Sequence, residues 1–249
     1  MKRFIPLLAL FLAFSCAKEK QDVSRIEGKR INITDSIAAN EEIEAYIQPF
    51  RERIQEDMQK VLSYAPKDMH KRDGELETTI GNLMADFVKL QSEPVYKKRT
   101  GKSIDICLLN HGGIRAPIAK GPITTQTAFN VMPFENSIVV AELTAENVHA
   151  LVNYLAEAKR AHPIAGLTIK LNNDFTVHEA LVNGKPIEDG KTYTVVTSDY
   201  LQHGGDRMYF LQDPVTLEVL DYKIRNAMID YFKTVDTIPA KLDGRFVKL

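Results

Sequence analysis

Residues 103–109, Ser-Ile-Asp-Ile-Cys-Leu-Leu, form a run apolar enough to be buried on both faces of a sheet. A strand of that kind needs one layer of structure above it and another below. The surrounding chain offers both, because strand-like and helix-like segments alternate from residue 40 to residue 249. Val148, Leu151, Val152 and Leu155 stand at helical spacing behind Thr144, which opens a Thr-x-x-Asn variant of the capping box. Ile43, Ile47, Phe50 and Ile54 predict a helix with acids in its first turn, and Pro49 is expected to kink or interrupt it. Thr78 or Thr79 caps another helix, with Leu83, Phe87 and Leu90 on one face. Residues 124–132 read as a short helix stopped by Pro133, and residues 219–235 as a last amphipathic helix. Residues 59–66, 136–144, 166–172, 177–187 and 192–198 read as strands, with turn residues between several of them. The pattern predicts an α+β fold: one mixed α/β domain over residues 40–249, with helices flanking a mixed sheet.

The N-terminus is set apart from this domain. Lys2 and Arg3 precede an apolar stretch, Phe4–Phe14, that ends in Ser15-Cys16, the layout of an export signal. A Cys directly behind it resembles the bacterial lipoprotein signal. That implies removal of residues 1–15, acylation of Cys16 and a solvated tether over residues 16–39. The expected location is therefore the cell envelope, periplasmic or surface-facing, with a lipid anchor in the membrane. With Cys16 lipidated, Cys107 has no partner for an internal disulfide and is expected to be a buried thiol. A formal net charge of −1 leaves no basic stripe for nucleic acid. No window reaches the ~18 apolar residues that a membrane-spanning helix needs.

Bond-breaking chemistry is not visible in the motifs. Asp68-Met69-His70 matches an Asp-x-His metal pair, and Asn110-His111 carries part of a metallophosphatase signature. Two-metal hydrolysis needs a full set of carboxylate, His and Asn ligands. No Gly precedes Asn110, no acid follows His111, and the only Gly-Asp pair, Gly205-Asp206, comes last instead of between the other two. No metal site, cofactor motif or nucleophile elbow is expected in this chain.

Binding is visible instead. The buried run leads into Asn110, then Gly112-Gly113 and Arg115, and a second pair, Gly204-Gly205, precedes Asp206. Paired glycines let backbone N–H groups approach a ligand without interference from Cβ. Arg115 offers a planar fork of donors, Asp206 can accept two hydrogen bonds from a diol, and Asn110 stands where a polar specificity contact belongs. Phe134 and Tyr200 add two aromatic faces. Such a set suits a purine nucleoside.

Four blocks, residues 77–88, 108–124, 131–143 and 197–210, resemble the C-terminal domain of 5′-nucleotidases in order and spacing. That family includes UDP-sugar hydrolase and ecto-5′-nucleotidase. The resemblance implies a nucleotide-recognition domain with the base between Phe134 and Tyr200. It also implies substrate contacts from Asn110 and Arg115, and ribose bound by Asp206. Tyr200 stands where the family usually has Phe, Arg207 where it usually has Gly, and Gly74 where some members carry a further substrate Arg. In the family a two-metal phosphoesterase domain comes first, whereas only residues 17–40 separate Cys16 from the first helix here. A nucleotide or nucleoside is thus the implied ligand. The implied partner is a separately encoded metallophosphatase chain, which would hold the divalent metals and hydrolyse nucleotides for salvage. The alternative is a non-catalytic nucleotide- or nucleoside-binding surface lipoprotein.

Overall fold

A computed structural model describes residues 23–34 and 36–249, so the expected export signal and Cys16 lie outside the described residues. Two compact units are distinguished, residues 1–48 and 49–249. In the first, the described residues before Asn40 are exposed and carry no helix or strand. Asn40 Oδ1 accepts from the Ile43 amide at 3.1 Å and starts helix α1, Glu41–Gln59. This helix is continuous through Pro49, so the proline does not interrupt it. None of its residues is buried, and Ile43, Phe50 and Ile54 are all exposed. The apolar spacing therefore marks a helix here without marking a core.

The second unit is built on a five-stranded sheet. Its order is β10 (Thr216–Lys223), β4 (Ser137–Thr144), β9 (Thr192–Ser198), β2 (Ile106–Leu108) and β5 (Ile164–Ala165). The β9–β2 pair is parallel and the other pairs are antiparallel, so the sheet is mixed. A second mixed sheet runs β11 (Phe246–Lys248), β6 (Leu167–Leu171), β7 (Val177–Val182), β8 (Lys185–Pro186). β1 (Val61–Ala65) and β3 (Gly121–Thr124) form a two-stranded ribbon.

Strand β2 explains the layering. Ile106, Cys107 and Leu108 are all at 0% exposure. Cys107 joins a cluster with helices α2 (Thr79–Thr100), α3 (Thr125–Val131) and α6 (Ile224–Thr234). Ile106 and Leu108 join another with α4 (Ala145–Ala158) and β6. Alternate residues of one short strand thus feed two cores, which is why the run had to be apolar throughout. Burial pushes the Cys107 thiol pKa far up, so it acts as a small hydrophobe.

Helix α4 follows its pattern closely. Thr144 Oγ1 accepts from the Asn147 amide at 3.3 Å, and Val148, Leu151, Val152 and Leu155 are buried. Thr78 caps α2 through the Gly81 amide, and the helix continues past Pro94 to a left-handed Gly101 at φ 76°. Its buried face drifts toward Val88, Ser92 and Tyr96, which leaves Leu90 58% exposed, contrary to expectation. Residues 219–235 are not one helix. Their first part belongs to β10, and α6 begins only at Ile224. Asp221 sits at φ 54° and the register breaks between Val219 and Lys223, so this strand lacks a clean alternation.

The register decides where a site can form. Ile106 pairs with Val195 in the parallel β2–β9 step, so the loops after these strands open at the same end. Ile138 pairs with Ser198 in the antiparallel β4–β9 step, so the segment leading into β4 reaches that end too. Ligands of open α/β sheets bind outside the carboxyl ends of parallel strands.

Candidate functional site

Three segments converge there. After β2, Asn110 leads into a 3₁₀ turn, His111–Gly113. A Cβ on Gly113 would lie 2.7 Å from Asn110 Oδ1, so the glycine makes room for the amide. Asn110 Nδ2 donates to Asp206 Oδ2 at 2.8 Å. Arg115 follows, with its Cζ 5.7 Å from the centre of the Phe134 ring.

After β9, Ser198 caps a single helical turn, α5 (Asp199–Gln202), and the chain then turns left-handed at Gly204, Asp206 and Arg207. Positive φ is costly for Asp and Arg, so neighbouring contacts must hold it. Tyr154 supplies one, its hydroxyl donating to the Asp206 carbonyl at 2.9 Å. Tyr200 supplies another, its hydroxyl donating to Asp206 Oδ1 at 3.0 Å. That bond is the main cause of a raised Tyr200 phenol pKa. Gly205 lies against the same ring: a Cβ there would be 2.5 Å from Tyr200 Cε1 and 2.6 Å from Tyr200 O.

Before β4, the backbone of Met132 and Phe134 accepts from Arg225 Nη1, both at 3.3 Å, and Arg225 Nη2 is paired with Glu135. Arg225, on α6, is buried and stacks on Phe129 at 4.1 Å. A cation from the core thereby fixes the loop that carries Phe134.

Together these segments line a cavity of about 350 Å³. Its wall contains Asn110, Gly112, Gly113, Arg115, Phe134, Tyr200 and Asp206, seven of the nine residues singled out for binding. Gly204 and Gly205 do not line it: Gly205 stands behind Tyr200, and Gly204 lies against Gln212 and Tyr209. Asn136 also lines it, and nothing in the sequence marked it beyond its place two residues after Phe134. Phe134 is 41% exposed and Tyr200 46%, so both rings offer free apolar surface at the mouth.

Tyr154 and His162 were also unmarked. His162 Nδ1 accepts from the His111 amide at 3.4 Å, bracing the first glycine turn. Burial lowers its pKa to about 4, which keeps the ring neutral at pH 7 and Nδ1 free to accept. Asp68 Oδ1 accepts from the Lys120 amide at 2.7 Å, and the His70 amide bonds to Asp73. Among the described residues, no group of three or more His, Cys, Asp and Glu side chains gathers as a ligand set.

Aromatic faces, an amide, a carboxylate and an arginine surround an open cavity at the end of a parallel strand pair, the kind of place where α/β proteins bind small ligands. Residues 60–213 match the family described as 5′-nucleotidase, C-terminal domain, and the chain belongs to it. A 5′-nucleotidase-related protein of Glossina morsitans morsitans is 24% identical over 253 residues, covering 91% of this chain and 45% of that protein. The trifunctional nucleotide phosphoesterase protein YfkN of Bacillus subtilis is 32% identical over 184 residues, covering 68% and 12% respectively. Among solved structures, the 5′-nucleotidase precursor from Thermus thermophilus superposes with a TM-score of 0.69 at 27% identity, covering 83% of this chain and 42% of that one. The chain spans less than half the length of each of these relatives.

Proposed function

We propose that this chain recognises a nucleotide or nucleoside, with its base between Phe134 and Tyr200 and its ribose hydroxyls on Asp206. Asn110 and Arg115 supply the remaining polar contacts from the first glycine turn. The observation that carries the reading is the Asp206 carboxylate. It is oriented by Asn110 and Tyr200 at the wall of a cavity flanked by two exposed rings. The family match, and the nucleotide-directed names of relatives such as YfkN, support it. In the same reading, hydrolysis belongs to a separately encoded metallophosphatase chain, which holds the divalent metals and completes the enzyme for nucleotide breakdown and salvage. Acylation at Cys16 anchors the exported chain to the envelope membrane.

The test is a phosphatase assay on AMP with Mn²⁺, Co²⁺ or Zn²⁺, run on the chain alone and with candidate metallophosphatases. The expected result is turnover only in the mixture, together with adenosine binding by the chain alone. Metal-dependent turnover by the repurified chain alone would overturn the division of labour, and failure to bind any nucleoside would overturn the recognition role. Loss of membrane association in Cys16→Ser tests the anchor.

A further inference from the structure

Arg225 does not line the aromatic cavity, yet its guanidinium is directed at the segment that carries Phe134. Nη1 donates to the Met132 and Phe134 carbonyls, and Nη2 pairs with Glu135. Nε is buried without a hydrogen-bond partner among the described residues. A buried donor left unpaired costs free energy. The guanidinium therefore faces this segment at the expense of its own pairing.

Its neighbours in sequence reach the same stretch. Lys223 Nζ donates to the Glu135 carbonyl at 2.7 Å and to Ser137 Oγ at 2.9 Å. The Ile224 amide donates to the Asn136 carbonyl at 3.1 Å. Residues 132–136 belong to neither helix nor strand, so these bonds stand in for a regular backbone ladder. A bulge brings the holders into place. Strand β10 follows β4 as far as the pair Val219 and Val139, turns left-handed at Asp221, and rejoins at Lys223, which pairs with Ser137. Bulges re-aim side chains and recur beside functional sites. The residues that follow this one, Lys223 to Arg225, are those that hold the Phe134 segment.

We propose that Arg225 and Lys223 are positioning residues of the base clamp, acting through Phe134 by holding its ring in the cavity wall while touching no ligand themselves. This rests on the base-binding reading above and adds the residues that fix one side of the clamp. The other side is fixed separately, since the Tyr200 ring is tied to Asp206 and backed by Gly205.

Calorimetry with adenine and adenosine, together with hydrogen exchange, tests this on the full chain. Arg225→Met should weaken both ligands by the same factor, about fivefold, part of the ten- to hundredfold expected for loss of the ring itself. In a Phe134→Ala background it should cost nothing further, because the group it acts through is gone. Without ligand, amides of residues 132–136 should exchange faster in Arg225→Met while those of residues 138–143 keep their rates. Lys223→Met alters a partly exposed side chain and should show the same pattern at about twofold. It carries the test if Arg225→Met does not fold.

A purely structural Arg225 would lower the urea midpoint and leave the affinity of the folded protein unchanged, and that result overturns the proposal. Losses that simply add to those of Phe134→Ala overturn it too. If Phe134→Ala binds adenosine as wild type does, the base clamp itself falls. The exchange rates then decide separately whether Arg225 holds the segment, and unchanged rates overturn that as well.

Discussion

Asn110 and Asp206 are hydrogen-bonded at 2.8 Å across 96 residues of chain, and this bond joins the two glycine turns. Each turn presents one partner to the same cavity. Asp206→Asn would put an amide where the carboxylate now accepts from both Asn110 and Tyr200. It should therefore weaken adenosine by roughly 1–2 kcal/mol while sparing adenine, since charged acceptors are worth more than neutral ones. Calorimetry with adenosine, adenine and 2′,3′-dideoxyadenosine checks this, and equal losses for all three would count against a ribose role.

The two rings make a separate prediction. Base–aromatic stacking is worth about 1–3 kcal/mol, so Phe134→Ala and Tyr200→Ala should each weaken adenosine about ten- to a hundredfold. Tyr200→Phe keeps the ring and removes only the bond to Asp206. In the sequence the hydroxyl is only a departure from the family's usual Phe; the structure places it on the carboxylate. Its loss should leave adenine binding unchanged and shift adenosine by less than about 1 kcal/mol, because the pair is solvent-accessible. If both alanine variants bind adenosine as wild type does, the clamp is refuted.

Gly205→Ala and Gly112→Ala should behave differently. At Gly205 the new methyl would meet the Tyr200 ring at 2.5 Å and the Tyr200 carbonyl at 2.6 Å, and a backbone atom cannot swing away. That variant should lose about 1–3 kcal/mol of stability in urea melts. At Gly112 the nearest atom is the Asn110 amide nitrogen at 3.3 Å, so stability should change little. Binding is the sensitive readout there, because the same nitrogen holds Asp206.

His162 predicts a pH dependence. Its pKa is lowered from 6.5 to about 4 by burial, so below pH 6.5 the unfolded chain takes up a proton that the folded chain refuses. Its stabilising contribution is intact above pH 6.5 and falls as pH drops toward 4. The loss is on the order of 3 kcal/mol over that window. Comparing urea melts of wild type and His162→Phe at pH 7, 6 and 5 isolates it. A difference curve that stays flat would remove His162 as the cause.

What could be read in the sequence was whatever depends on local pattern. The α4 stripe and its Thr144 cap reappear as drawn, because period and cap lie within one turn of each other. The glycine turns were legible for the same reason. Strand β10 was not, since its partner β4 lies some 80 residues upstream and its bend at Asp221 spoils the alternation. Helix α1 shows the opposite failure, with an apolar stripe that stays exposed. Asn136, Tyr154 and His162 escaped notice because a polar residue reaches a cavity through tertiary packing, which leaves no periodic trace.

The parallel pairing of β2 with β9 acts as a fixed gauge for the mouth of the cavity. Adjacent strands stand about 4.8 Å apart, a distance set by main-chain hydrogen bonds and indifferent to side chains. The two glycine turns start from that gauge, so the floor cannot widen unless the sheet itself comes apart. Wall residues such as Phe134 and Asn136 are not bound by it. Exchanging them is the way to change what this domain admits while leaving its span untouched.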